Sequence, residues 1–462
     1  MTEIKINTNR DEIQKEALST EELFKELLTH EPKPIANFVP ENGIEQKQLF
    51  LSGEVNIPRH NYAKLDAIDF SAMREGINNS TQAIVETLDD DPVSSAVYEE
   101  FGSRYLKTAQ FMELASAINH EEDPVKKQEL SNKYMELNIE LYGEPNESVY
   151  RSFMNNTLNK FRTKDLNGRA SEIYEELLGL VPRVDSEFDA QRFRPSQETV
   201  DWAGKIVEAL HGGLLSHVPE NKEVFTDEEI RQVFQDIVDV EFLDAESGVN
   251  AAEGWTVVIE PAASINVKTV DKKIVVPEGK ELKREVVRGR VVHEVGIHMV
   301  RSVMGEQATL GPLRIGLAGY YDSEEGLGVV AGQALNKKFS EVGTAAYLTA
   351  GLAYFDKKDF REVFEIKWRI AVLEKLKDGQ ELTDEAITKE RSLAYNATTR
   401  SFRGTDTLPW FKDLAYYNGV DSVWRYLEEH RGDDLYLSML LLGKADPTND
   451  SHKRAILEST TK

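Results

Sequence analysis

The sequence predicts an α+β fold that is predominantly α-helical and carries one small antiparallel sheet. Long stretches on both sides of residues 250–280 place apolar residues three and four positions apart, as the buried face of a helix requires. Residues 254–277 instead contain short segments rich in β-branched side chains, which are typical of strands. Directly after them, a helix-forming stretch carries two histidines and a glutamate. We therefore expect the sheet to lie beside a helix that bears reactive side chains.

Helices are predicted over most of the chain. The first covers roughly residues 11–28, and a long helical run extends over about 66–240. Further helices are predicted near residues 281–304, 323–338, 344–356, 358–378, 383–401 and 407–430. We expect a polar N-terminal extension (1–55), a helical region (56–245) and a region with the reactive side chains (246–462). The last two should pack as one body, because no Gly/Ser-rich linker separates them.

Three short strands are predicted, at residues 254–260, 264–270 and 274–277. The polar residues Asp271, Lys272 and Lys273 indicate a hairpin turn between the last two. The strand at 264–270 alternates in polarity along most of its length, as half-buried strands do. It has two interpretations: it pairs with an extended peptide substrate, or it is ordinary scaffolding.

The composition restricts what the protein binds and where it works. With 55 basic and 81 acidic residues the net charge is −26, and so acidic a surface repels nucleic acid and anionic lipid. No apolar run approaches the length of a membrane span, and the N-terminal residues are polar, which together predict a cytoplasmic protein. Cysteine is absent, so a tightly held transition metal has to be bound by histidine and carboxylate.

The stretch at 291–301 contains His293, Glu294 and His298. Two imidazoles and a carboxylate form a common zinc site, and a glutamate beside the first histidine can act as general base. The histidine spacing is one residue longer than in H-E-x-x-H. Five steps of about 100° put the two rings about 140° apart on a regular helix, too far to share an ion. A π-bulge would restore convergence, and Gly296 tolerates one. We predict a bulge or kink at 294–298.

By itself this six-residue pattern is weak, and one buried plus one exposed helix histidine is the ordinary alternative. A nearby acidic pair strengthens the metal interpretation, because Glu324 and Glu325 open the next helix. Glu325 lines up with Gly328 and Gly332, a stripe that lets the two helices approach closely, and this favours Glu325 as third ligand. Spacing alone divides the two glutamates evenly, and both also suit a first helical turn.

The same residues resemble a known family. HEVGIHMVR followed by EEGLG is similar to the H-E-[IV]-G-x-H-x-x-R and [EQ]-E-G-L-[AG] signatures of the microtubule-associated tyrosine carboxypeptidase family, whose bacterial members are described by a QEGLA motif. The likeness continues downstream in Arg403-Gly404 and in the segment from Lys412 to Gly419, and less specifically upstream at 57–66 and 140–145. It covers about residues 55–445, with its specific motifs at 291–328 and 403–419.

This resemblance implies a gluzincin-like zinc carboxypeptidase that removes a C-terminal aromatic residue. It implies one zinc ion held by His293, His298 and Glu325, with Glu294 as the catalytic base. The family often has threonine at the position of Ile297 and alanine at that of Gly328. Neither departure replaces a metal-binding or proton-transferring group, so they affect pocket shape and leave the chemistry unchanged.

Other residues are candidates for binding the substrate. A carboxypeptidase needs a fixed cation for the terminal carboxylate, and Arg403, Lys412 and Arg301 are the candidates. Tyr416 is the candidate donor for the oxyanion. Each has a structural alternative, namely an ion pair for the three cations and a core tyrosine for Tyr416. We expect no function for the remaining histidines, which are His30, His60, His120, His211, His217, His430 and His452.

The expected partner is the C-terminus of a peptide or protein, with no role for nucleic acid or membrane. Tubulin tails, the acidic substrates of animal family members, fit poorly to a chain of charge −26 without an Arg/Lys-rich run. Two other functions remain open. One is an endopeptidase or aminopeptidase that uses the same site, and the other is a non-enzymatic regulatory protein that the metal stabilises.

Overall fold

Helices form most of the computed structural model, which describes residues 19–182, 192–308, 310–433 and 440–460. The helix predicted at 11–28 begins at Thr20, and residues 11–18 lie outside the described part. The described helices before the sheet are α1 (Thr20–Thr29), α2 (Pro34–Asn37), α3 (Gly43–Ser52), α4 (Ala63–Asp66), α5 (Phe70–Glu86), α6 (Pro92–His120), α7 (Pro124–Tyr142), α8 (Glu147–Arg162), α9 (Arg169–Leu180), α10 (Gln197–Ser216) and α11 (Asp227–Val240).

The helices after the sheet follow the predicted order closely. They are α12 (Arg284–Arg290), a π-helical segment (Val291–Met299), α13 (Val300–Glu306), α14 (Pro312–Ile315), α15 (Tyr321–Leu335), α16 (Thr344–Tyr354), α17 (Phe360–Lys375), α18 (Asp384–Phe402), a 3₁₀ turn (Phe411–Leu414), α19 (Ala415–Glu429) and α20 (Asp450–Thr460). The described residues contain no helix both long and apolar enough to cross a bilayer.

Five short strands complete the described part of the fold. A pair, β1 (Val224–Phe225) and β5 (Leu282–Lys283), is antiparallel. The predicted hairpin is confirmed: β3 (Asn266–Lys268) and β4 (Lys273–Pro277) are antiparallel, and Lys272 in the turn has a φ of 49°. The first predicted strand, β2 (Thr256–Glu260), pairs in parallel with β4, so the three-stranded sheet has the order β2-β4-β3 and is mixed. Strand β3 contacts the π-helical segment, which places the sheet beside the histidines.

The predicted N-terminal extension is wrong for residues 19–55, which pack into the body. Phe24 of α1 is buried against Tyr98 and contributes to an apolar core that includes Leu313. Phe50 of α3 is fully buried, with its ring 5.1 Å from that of Phe360. Polar residues on the outer faces of these helices gave the segment its polar composition, while large aromatic side chains such as Phe24 and Phe50 are buried.

The regions 56–245 and 246–462 share their apolar cores. The core around the histidine helix combines Ile237 of α11 and Ala203 of α10 with Val257 of β2 and Val295 of the π-helical segment. Because one core draws on both sides of residue 245, that boundary does not separate two independently packed bodies.

Helices α15 and α19 cross at two glycines. A methyl group on Gly326 would lie 2.2 Å from the backbone of Gly419, and one on Gly419 would lie 1.8 Å from the carbonyl oxygen of Asp322. Backbone atoms cannot move aside as a side chain can, so the crossing requires glycine at both positions. It also fixes α15, which carries Glu325, against the segment that contains Tyr416.

We expect Gly419→Ala to lower the free energy of unfolding by roughly 1–3 kcal/mol, the usual cost of overpacking. Gly332→Ala, also on α15, is the matched control because a methyl group there meets no atom within 4 Å. It should raise stability by about 0.5–1 kcal/mol through helix propensity. Chemical denaturation measures both variants. A Gly419→Ala protein as stable as Gly332→Ala would contradict the close crossing.

Candidate metal centre

The two histidines converge because the helix between them is distorted. Residues Val291–Met299 are π-helical within an otherwise continuous helix. In a π-helix each backbone N–H bonds to the carbonyl five residues before it, so positions five apart come to lie one above the other. The ring centroids of His293 and His298 are accordingly 4.7 Å apart, with an interplanar angle of 84°. The predicted distortion at 294–298 is confirmed.

Gly296 has a packing role within this segment. A methyl group on it would lie 3.1 Å from the ring of His211 of α10. His211 is buried, and burial lowers the pKa of this imidazole to about 4, so it is neutral at pH 7. The absence of a side chain at 296 therefore lets α10 approach the π-helical segment closely.

Glu325 of α15 completes the group, as predicted. Its Oε2 lies 4.0 Å from Nε2 of His293. The ligand atoms of His293, His298 and Glu325 all lie within 4.8 Å of one another, and no other trio of His, Cys, Asp or Glu in the described part of the chain does this. The three side chains are 12–15% exposed, so solutes can reach them.

Of the two glycines in the stripe on α15, only Gly328 lies where a side chain would clash. A methyl group on Gly328 would lie 2.6 Å from the His293 ring, so glycine at this position lets the imidazole lie directly against the helix. Gly332 has open space around it. Glycine is therefore needed at Gly328, where it allows the ring of the candidate ligand His293 to contact the helix. It is not needed for close packing at Gly332, one turn later.

The donor set suits zinc. Nδ1 of His298 is 2.8 Å from the Glu324 carboxylate. An ionised carboxylate only accepts hydrogen bonds, so in the neutral imidazole the proton lies on Nδ1 and the Nε2 lone pair is left for an ion. Ligand atoms of a tetrahedral zinc ion lie about 3.4 Å apart, given bonds of about 2.0–2.1 Å. Shifts of about 1 Å would therefore bring the three side chains to that spacing.

The electrostatics also suit a cation. Burial, together with the nearby His298 and Arg290, lowers the pKa of His293 to about 3, so this imidazole is neutral at pH 7. Glu294 is 4% exposed, and burial raises the pKa of its carboxyl. Arg290 donates a hydrogen bond of 3.1 Å to Glu294 Oε1, one turn away on the same helix. Glu294 is thus a buried carboxylate next to the triad, and Arg290 holds it in place. Its pKa is raised, which is the direction that suits a general base.

Glu324, the neighbour of the third ligand, has a different environment. It is 3% exposed and bonds to His298, Arg301 and Lys444. Burial opposes ionisation, but Lys444 and Arg301 together hold the pKa of this carboxyl well below its usual range. Glu324 is therefore an ionised partner of a ligand, and its carboxylate is already occupied by protein donors.

The prediction that Arg301 binds substrate is wrong. Its side chain is 1% exposed, and its guanidinium donates to Glu324, to the Gly443 carbonyl at 2.9 Å and to the Ala445 carbonyl. No face of the group remains for a terminal carboxylate. The position two turns after His293 suggested proximity to the site, but the sequence does not show that a later segment covers this residue.

Lys412 and Tyr416 lie close to the third ligand. Lys412 is 7% exposed and donates a hydrogen bond to the Tyr321 hydroxyl, which itself bonds to Glu325. Burial and the charge of Glu325 raise the pKa of Tyr416 to about 12, so its phenol stays protonated and can donate a hydrogen bond. Tyr321 was not predicted, although its position four residues before Glu325 in one helix indicates the contact.

Arg403 lies near these residues and keeps free donor capacity. Its guanidinium packs 4.7 Å from the Trp410 ring, and its buried Nε has no hydrogen-bond acceptor among the described residues. Burial lowers the pKa of Arg403, an effect that Asp413 opposes. An arginine that is partly desolvated and has an unsatisfied N–H is suited to bind an anion.

Positive charge is concentrated at this place in spite of the acidic composition. Asp413 accepts hydrogen bonds of 2.6 and 2.8 Å from Arg400, and Lys412 and Arg403 also lower its pKa. The half-buried Lys367 of α17 interacts electrostatically with the same carboxylate, and desolvation lowers the pKa of Lys367 to about 8. These cations come from separate elements, so the absence of an Arg/Lys-rich run in the sequence did not reveal them.

A buried network holds the loop that carries Arg403. His60, predicted to have no function, bonds through Nδ1 to Asp406 at 2.7 Å, and its backbone N–H donates to the same carboxylate at 2.7 Å. Tyr62 donates to Asp406 at 2.6 Å. Asp406 has a φ of 60°, in the left-handed region that a non-glycine residue adopts only when its surroundings hold it. Residues near the start of the described chain thus hold the loop that follows Arg403.

Strand β3 is an edge strand of the three-stranded sheet and contacts the π-helical segment. Its pairing with an extended peptide stays a prediction.

The comparisons with known proteins add no relative. No protein-family model matches the chain, and searches of curated proteins and of solved structures found no match.

Proposed function

We propose that this protein is a zinc-dependent carboxypeptidase of the gluzincin type, related to the microtubule-associated tyrosine carboxypeptidases and acting on the C-terminus of a peptide or protein in the cytoplasm. One observation carries the proposal. A π-helical distortion brings His293 and His298 together with Glu325 and leaves the buried Glu294 beside them. This donor set, with an adjacent carboxylate, is the arrangement that metal-assisted hydrolysis requires.

Each residue has a defined task in this proposal. His293, His298 and Glu325 would hold a zinc ion, which would supply a Lewis acid for polarising a carbonyl group and activating water at neutral pH. Glu294 takes a proton from the attacking water and passes it to the leaving amine. The protonated Tyr416 donates a hydrogen bond to the oxygen that becomes negative as the carbonyl carbon is attacked. Arg290 holds the Glu294 carboxylate in place.

The cations beside the site support cleavage at a C-terminus. Arg403 has an unsatisfied buried donor, and Lys412 is buried within hydrogen-bond reach of Tyr321, a neighbour of Glu325. A terminal carboxylate bound by these groups would place the last peptide bond near the triad, whereas an amidated terminus would lose the ionic contact. Preference for an aromatic terminal residue rests on the family resemblance.

The test is a pair of peptides that differ only in a free or an amidated C-terminus, with products identified by mass. We expect the protein to release the last residue of the free-carboxylate peptide and to lose this activity on chelation. Arg403→Ala should raise KM for that peptide by at least about tenfold, since a hydrogen bond to a charged group contributes about 1.5–3 kcal/mol. It should change little for the amidated peptide.

Arg391→Ala is the matched control, because the Arg391 guanidinium also packs against a tryptophan, 5.4 Å from the Trp368 ring. Arg391 lies on α18 about 18 Å before Arg403 along the helix axis, away from the site. Its KM should equal that of the wild type. Cleavage within both peptides, or from their amino ends, would replace the carboxypeptidase proposal with an endopeptidase or aminopeptidase. No cleavage by a zinc-loaded protein would favour a regulatory role.

A further inference from the structure

The segment Gly443 to Ala445 lies against the metal centre, although Lys444 and Glu324 are 120 residues apart in sequence. Its backbone is held on both sides. The Lys444 N–H donates to the Leu313 carbonyl at 2.7 Å, and the Lys444 carbonyl accepts from the Leu317 N–H at 2.8 Å. The Lys444 side chain is 4% exposed and reaches inward to Glu324.

Both oxygens of the Glu324 carboxylate are engaged. Oε1 accepts from Lys444 Nζ at 2.7 Å and from His298 Nδ1 at 2.8 Å, while Oε2 accepts from Arg301. The three charged side chains are 4% exposed or less. Glu324 therefore joins a ligand of the candidate zinc site to two buried cations, and solvent does not screen the charges.

From this geometry we propose that Glu324 is a positioning residue with two effects on the metal centre. Its hydrogen bond fixes the orientation and tautomer of His298, so that Nε2 faces the ion. Its charge balances Arg301 and Lys444, which would otherwise repel a dication from a neighbouring ligand. With Glu324 ionised, the three groups sum to one positive charge, and with a neutral residue at 324 they sum to two.

The inference rests on the proposed zinc site but is tested by metal affinity, independently of hydrolysis. Glu324→Gln keeps an oxygen that can accept from His298, removes the charge and replaces the oxygen that accepts from Arg301 by an amide NH2 group. We expect its zinc dissociation constant, measured by competition with a chromophoric chelator, to rise about 10–100-fold, the usual cost of losing a partner of a metal ligand. Removing Lys444 as well restores the charge balance, so Glu324→Gln/Lys444→Met should bind zinc more tightly than Glu324→Gln.

Glu324→Asp is the second variant, because it keeps the charge but shortens the reach to His298. We expect it to weaken binding and to change the absorption spectrum of the cobalt-substituted protein, which reports ligand geometry. Glu390→Gln is the matched control, since Glu390 is also a buried glutamate held by a lysine, at 2.7 Å. It should leave zinc affinity and the cobalt spectrum unchanged.

Three results would overturn the inference. One is wild-type zinc affinity in both Glu324→Gln and Glu324→Asp, and another is weaker binding by the double variant than by Glu324→Gln. The third is no zinc binding by the wild-type protein, which would also overturn the proposed function. A wild type that binds zinc but cleaves no peptide would contradict the proposed function alone, and the role of Glu324 would still be decided by the affinities.

Discussion

Glu294→Gln is expected to lower kcat for peptide hydrolysis by about 10²–10⁴-fold, the usual contribution of a positioned general base. Glutamine has the size of glutamate and keeps an oxygen that can accept the hydrogen bond from Arg290, so the local structure should persist. It cannot accept a proton from water. The variant should still bind zinc stoichiometrically, because Glu294 is outside the triad. Steady-state kinetics and elemental analysis on one preparation separate the two properties.

Glu285→Gln is the matched control for this experiment. It makes the same change of charge on the same continuous helix, at an exposed position, and should keep wild-type kcat. Undiminished hydrolysis by a zinc-loaded Glu294→Gln protein would show that another group takes the proton. Loss of zinc from that variant would instead indicate that Glu294 contributes to holding the ion.

His298→Ala is expected to weaken zinc binding by more than about 100-fold, which exceeds the usual cost of removing only a partner of a ligand. It removes one of three donors, and the two that remain belong to different helices. Hydrolysis should be lost in parallel. The fold should persist, because Glu324 keeps Arg301 and Lys444 as buried partners. Chelator competition measures the affinity, and circular dichroism checks the fold.

His120→Ala controls for the loss of a histidine as such. His120 lies at the end of α6 with its side chain 66% exposed, so its removal should not affect zinc affinity. Wild-type affinity in His298→Ala would rule out this triad as the zinc site. Loss of zinc from both variants would point to non-specific binding at surface histidines.

The candidate metal centre was predictable because its determinants are local. A helix that places histidines five residues apart around Gly296 can bring them together only by a distortion, and residues 291–299 are π-helical. Glu325 was predicted from the register of α15, in which Gly328 leaves room for the His293 ring. Both arguments use the spacing of residues within a single helix, and both helices are present in the folded structure.

The surroundings of the centre were less predictable. Arg301 looked available for substrate, but the distant segment at Gly443 covers it. The cations near Asp413 come from α17, α18 and the segment that follows, and no single stretch of sequence shows them together. His60 had no partner at ligand spacing, yet it lies 346 residues from Asp406 in sequence and binds it. Each of these features is a contact between residues far apart in the chain.

The sequence by itself therefore determined the helical architecture after residue 250, the hairpin, the distorted histidine helix and the three candidate ligands. These depend on hydrophobic period and on spacing within one element, which the order of residues states directly. Only the tertiary structure decided that residues 19–55 belong to the body, that Arg301 is buried, and that Glu324 links a ligand to Lys444. Such contacts depend on which distant segments pack together, and that is settled by the burial of apolar surface over the whole chain.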